Sequence, residues 1–82
     1  MKTYNGHRSW NAWNVALWMG NDEPLYRFAM DCIERARKTN PKRLAARASR
    51  YFMGGMADSK TPDGAKYTYL AVKLALEGFL SV

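Results

Sequence analysis

The sequence predicts an all-α protein: a compact bundle of three to four helices with an extended N-terminal arm. Three observations predict it. Apolar residues recur at 3.6-residue spacing in several segments. Two of those segments open with a capping residue followed by proline. The connections between segments are short, as neighbouring helices of a bundle require. At 82 residues the chain has room for one domain, residues 1–82, and not for two. Folding at this size buries only about 60% of the surface an unfolded chain exposes. The core must therefore be rich in large apolar groups, and Trp10, Trp13, Trp18, Phe28, Phe52 and Phe79 supply them beside five tyrosines. Aromatics of this kind serve a core or an interface equally well.

Residues 1–8 read as an arm with a turn at Asn5-Gly6. Ser9 is placed to cap a first helix over 10–19, whose Trp10, Trp13 and Leu17 share a face, with Val15 and Trp18 extending it. Gly20 is expected to end that helix in the left-handed C′ position. A second helix starts at once: Asn21 or Asp22 caps it, Glu23 complements the helix dipole and Pro24 fits the first turn. Leu25, Phe28, Ala29, Cys32, Ile33 and Ala36 form its apolar stripe. Glu23–Arg27, Asp31–Arg35 and Glu34–Lys38 are acid-before-base pairs at i, i+4, each adding about 0.2–0.5 kcal/mol.

Asn40-Pro41 repeats the cap signal for a third helix over 41–53, with an apolar stripe of Leu44, Ala45, Ala48, Tyr51 and Phe52. Gly54-Gly55 is expected to break it. Thr61-Pro62-Asp63-Gly64 reads as a tight turn, proline fixing φ and glycine permitting a left-handed residue. The last segment, 65–80, carries Tyr69, Val72, Leu76 and Phe79 on a helical stripe. The alternation of Lys66-Tyr67-Thr68-Tyr69 also allows a short strand at its start, and the two readings of 65–69 stay open.

A single cysteine, Cys32, excludes an intrachain disulfide and a zinc site built on several thiolates, which fits a reducing compartment. Residues 1–9 lack the apolar core of a signal peptide, and no apolar run reaches a membrane-spanning length. A cytoplasmic protein is expected. His7 is the one histidine, and Cys32 sits at an apolar helical position where cysteine usually acts as a small hydrophobe. No ligand spacing for a metal, no phosphate-binding glycine loop and no nucleophile–base pair is visible. The expectation is a protein that is not an enzyme and has no cofactor.

Net charge is +6, and its placement is uneven. Residues 35–50 carry Arg35, Arg37, Lys38, Lys42, Arg43, Arg47 and Arg50 without an acid. Such a stretch is either a solubilising face or a docking face for an anionic partner. Arg43, Arg47 and Arg50 fall together at i, i+4, i+7. With Arg37, Lys38 and Lys42 at the corner before them, they form the candidate binding set. The third helix lacks the Asn and Gln side chains that read base edges, so DNA or RNA contact is expected to follow the phosphate backbone.

The stretch Trp10-Asn11-Ala12-Trp13-Asn14-Val15-Ala16-Leu17-Trp18, with Asn21-Asp22-Glu23 and Leu25-Tyr26 behind it, resembles a family of small proteins encoded by bacteriophages and other mobile elements. Their shared stretch runs W-N-V-x-L-W-x-x-N-D-E-x-L-Y, and a later T-P-D-G corresponds to Thr61-Pro62-Asp63-Gly64. The resemblance covers a fifth to a quarter of the chain and brings no established activity. It implies a bacterial cytoplasm during infection or element transfer, and a partner that is a host protein or nucleoprotein complex, such as a CRISPR effector or a restriction system. The leading expectation is an anti-CRISPR or anti-restriction type inhibitor. The alternatives are a nonspecific DNA- or RNA-binding protein, and a homo-oligomer associating through Tyr67, Tyr69 and Phe79.

Overall fold

The computed structural model describes residues 9–56 and 58–80. The expected arm, its Asn5-Gly6 turn and His7 lie outside those residues. Four α-helices follow one another: α1 (Trp10–Asn21), α2 (Glu23–Thr39), α3 (Leu44–Met56) and α4 (Tyr69–Leu80), with a 3₁₀ turn at Pro41–Arg43 leading into α3. The all-α fold class is as the sequence predicts. The radius of gyration, 11.9 Å, is that of a compact chain of this length. α2 packs on α3, α3 on α4, and α4 on α1, which returns to α2.

Local signals set the helix starts. The Ser9 hydroxyl accepts from the Ala12 amide at 3.1 Å, and the Asp22 carboxylate accepts from the Leu25 amide at 3.1 Å. Asp22 also closes α1, its own amide donating to the Trp18 carbonyl. One residue thus ends a helix and begins the next, leaving α1 and α2 no slack between them. Thr68 caps α4 by accepting from Ala71, so residues 65–68 are not helical, and Lys66 makes only an isolated antiparallel bridge with Lys60.

The apolar stripe of α2 buries as its period requires: Ala29, Cys32, Ile33 and Ala36 are buried, Leu25 and Phe28 half-buried. The expected face of α1 is corrected. Its buried residues are Ala12, Asn14, Val15 and Met19, and Trp10 and Leu17 each remain 38% exposed. At 3.6 residues per turn Ala12, Val15 and Met19 lie nearly opposite Trp10, Trp13 and Leu17. The small side of α1 faces α4, whose buried residues include Ala71 and Ala75. Bulky indoles there would hold the two helices apart.

Gly20 does not end α1 and Gly54-Gly55 does not break α3; both helices run on, to Asn21 and Met56. At Gly55 the reason is close approach, because a Cβ there would stand 2.8 Å from the Phe28 ring. That ring is itself packed 5.1 Å from Phe52, which lies 5.8 Å from Tyr67, and Phe52 is fully buried at the centre. Asn40 caps with its backbone only; its side chain makes no capping bond.

Of the three expected ion pairs on α2, Glu23–Arg27 forms at 2.6 Å. Arg35 instead places its guanidinium 4.3 Å from the centre of the Tyr51 ring, and Glu34 pairs with Arg37 at 3.7 Å. The Tyr51 hydroxyl meets the Thr39 hydroxyl at 3.0 Å, which ties the end of α2 to α3.

Candidate functional site

Arg43, at the end of the 3₁₀ turn, and Arg47 and Arg50, on the first two turns of α3, stand along one wall of a concavity of about 300 Å³. Asn40, Ala46 and Tyr69 complete the lining. Tyr69 arrives from the first residue of α4, placed there by the Thr68 cap. Arg50 lies 5.6 Å from the centre of the Tyr69 ring, within reach of a cation–π contact. No acidic residue lines the concavity. Among the described residues none of the three arginines forms an ion pair.

The six residues expected from sequence are thus divided. The structure brings Arg43, Arg47 and Arg50 together. Lys42 sits beside them, sharing with Arg43 a neighbouring surface that Lys73 and Glu77 also line. Arg37 and Lys38, in the last turn of α2, do not line the concavity, and Arg37 is engaged by Glu34. Asn40 and Ala46 were not legible as site residues, and Tyr69 stood out only as an aromatic for self-association. Tyr69 had one usable signal, because a Thr cap directly before it would have placed it at a helix start facing α3.

A second polar constellation ties α1 to the turn before α4. The Asn14 amide donates to an Asp63 carboxylate oxygen at 2.9 Å, and the Trp18 indole N–H donates to the same oxygen at 2.9 Å. The Thr61 hydroxyl donates to the Asn14 carbonyl oxygen at 2.6 Å and accepts from the Ala65 amide at 3.0 Å. Asn11 grips the Lys66 backbone at both ends, donating to its carbonyl and accepting from its amide, each at 2.9 Å. The turn is closed by Gly64 donating to the Thr61 carbonyl, with Gly64 at φ +94° as a turn glycine. Hydrogen bonds from Asn14 and Trp18 hold the Asp63 carboxyl below its usual pKa. Asn14 and Thr61 are buried, at 1% and 4% exposure, and every buried side-chain donor or acceptor among the described residues has a partner.

Cys32 is 4% exposed, and burial, reinforced by Asp31 and opposed by Arg35, pushes its thiol up to about 11. It is a protonated core residue at neutral pH. Among the described residues no three His, Cys, Asp or Glu side chains gather where they could hold a metal ion, and no helix is long and apolar enough to cross a membrane. Tyr67, expected as an exposed aromatic for self-association, is corrected: it is buried against Phe52. Tyr69 stays 39% exposed and Phe79 is half-buried.

One family model matches residues 1–78, nearly the whole chain. The chain belongs to DUF7249, a family of unknown function. The DUF7249 match takes in the α1 stretch, the basic residues of α2 and α3, and the Thr61-to-Gly64 turn alike. No curated protein and no solved structure matches the chain.

Proposed function

We propose that this chain is a non-enzymatic, phage- or mobile-element-encoded protein that inhibits a host defence or nucleic-acid-processing complex in the bacterial cytoplasm. Inhibition is by docking, of the anti-CRISPR or anti-restriction type. The observation that carries the reading is the concavity of Arg43, Arg47 and Arg50: three guanidiniums along a space that no acid lines. Cations that form no ion pair on a folded surface are available to an anionic partner, and they accelerate encounter with it. The sequence resemblance of the α1 stretch and the T-P-D-G turn supports the phage context. A basic face is the opposite of what DNA mimicry requires, so the partner surface is acidic protein or nucleic acid.

The test is capture of host proteins from bacterial lysate by the tagged chain, with and without nuclease, beside the variant R43E/R47E/R50E. The expected result is a stoichiometric protein or nucleoprotein partner for the wild type and none for the variant, with the helical circular dichroism unchanged. A folded triple variant that captures the same partner would sink the assignment. Recovery of nucleic acid alone, lost on digestion, would replace it with nonspecific backbone binding, for which affinity falls steeply with salt.

A further inference from the structure

We infer that the concavity between α3 and the start of α4 is a binding site for a single-stranded nucleotide unit, a phosphate together with the unpaired base beside it. The inference rests on the reading of the basic face above and names the chemistry that face meets. A guanidinium presents a planar fork that matches phosphate oxygens two at a time. Arg43 and Arg47, four residues apart, line the same space, so one backbone phosphate can meet both. An acidic protein patch would satisfy the arginines equally well, but three further features distinguish the two.

The surface is a concavity and not a flat helix face. Its volume of about 300 Å³ lies at the lower end of the usual small-molecule range of about 300–1,000 Å³. Its lining includes an aromatic ring: Tyr69 is 39% exposed, and the Arg50 guanidinium lies over one face of the ring at 5.6 Å, so a base would stack on the guanidinium or on the ring's other face. Arginine and aromatic planes together are what unpaired bases stack on, whatever their identity. Finally, Asn40 lines the same space and its side chain makes no bond to cap the helix it precedes, so its amide has a donor and an acceptor to offer a base or sugar. Carboxylates have no use for the ring. A duplex keeps its bases stacked inside, out of reach of Tyr69, so the unit is single-stranded.

The experiment is fluorescence anisotropy with a short fluorescein-labelled oligothymidylate, its abasic counterpart and the matching duplex, with polyglutamate as competitor. The wild-type chain is expected to bind the base-bearing strand about tenfold more tightly than the abasic one. Tyr69→Leu should remove that tenfold difference and Tyr69→Phe should keep it, whereas Arg47→Gln should weaken both strands and make the salt dependence shallower. Equal affinity for base-bearing and abasic strands, or displacement by polyglutamate at equal charge concentration, would overturn the nucleotide site. The strand comparison uses the unaltered protein, so it decides even where a variant misfolds. If that comparison fails while R43E/R47E/R50E still loses its partner, the nucleotide inference falls and the basic docking face stands. If the triple variant keeps its partner, the docking face itself falls.

Discussion

The same small bundle carries two polar constellations that use their side chains in opposite ways. Between α1 and the turn at 61–64, Asn11, Asn14, Trp18, Thr61 and Asp63 match donor to acceptor until nothing buried is left over. Between α3 and α4, Arg43, Arg47 and Arg50 crowd like charges along one wall and find no acid. The first arrangement stabilises, since a buried polar group that meets its partner avoids the cost of lost solvation. The second is neutral or unfavourable for folding, since like charges repel. A region whose repulsion offsets the little its contacts contribute, while keeping its charges in register, is better explained by a partner than by the fold. The residues most distinctive in the sequence, the Trp-Asn stretch and the T-P-D-G turn, belong to the first region.

The largest test of that contrast is Asn14→Leu. The leucine keeps the heavy-atom count and branching of asparagine, though it is bulkier, and it strands the Thr61 hydroxyl and removes one donor to Asp63. The stranded Thr61 hydroxyl alone should cost about 1–3 kcal/mol in chemical denaturation, a large share of the stability of a small domain. Partner capture should be unchanged wherever the variant stays folded. A loss under about 1 kcal/mol would mean that apolar packing alone seats the turn, and the contrast would weaken.

A second test uses pH. Asp63 has a folded pKa below its unfolded value of about 3.9, because Asn14 and Trp18 bond to its ionised form. Its contribution is therefore complete well above pH 4. It is lost as pH falls through the folded value, because the unfolded chain takes up the proton first. Asp63→Asn should lower stability at neutral pH and flatten the acid limb of the stability profile. An acid limb identical in wild type and variant would place the titration elsewhere. The concavity holds no carboxylate, and its capacity to bind an anion should not follow the same limb.

What was legible in the sequence follows the range of the interactions. Ser9, Asp22 and Pro24 act within a turn of their own positions, so the starts of α1 and α2 could be read directly. The stripe of α2 was readable because one strong period points one way. α1 misled because Trp10 and Leu17, two of the residues that defined its expected face, are not among its buried ones. The interior takes Ala12, Asn14 and Met19 beside the expected Val15, and hydrophobic rank gives a small alanine and a polar asparagine little weight. The turn at Thr61 was legible, but its seat on Asn14 and Trp18 joins residues more than forty apart and leaves no local trace. Gly54-Gly55 looked like a break because glycine is a poor helix former. At Gly55 the proximity of Phe28 supplies a tertiary reason for its presence. The arginine triad was visible from i, i+4, i+7 spacing alone. The concavity was not, because Tyr69 and Asn40 reach it from other elements.

The smallest expected effect is the most discriminating. Neutralising the triad as R43Q/R47Q/R50Q removes the cation–π contact between Arg50 and Tyr69, worth about 0.5–1 kcal/mol at an exposed site, and relieves repulsion of similar size. The two terms oppose, so stability should stay within about 1 kcal/mol of wild type. The salt response should change more than the stability does. Wild type should gain stability between low and moderate ionic strength as the like charges are screened, and the neutral variant should gain less. If the variant were instead destabilised by several kcal/mol, the arginines would have to be structural residues with partners in the fold, and the concavity would cease to be a candidate site. If it is as stable as expected and has lost its partner, the distinction between the two regions holds: one set of polar groups folds the chain, and the other is held ready for something outside it.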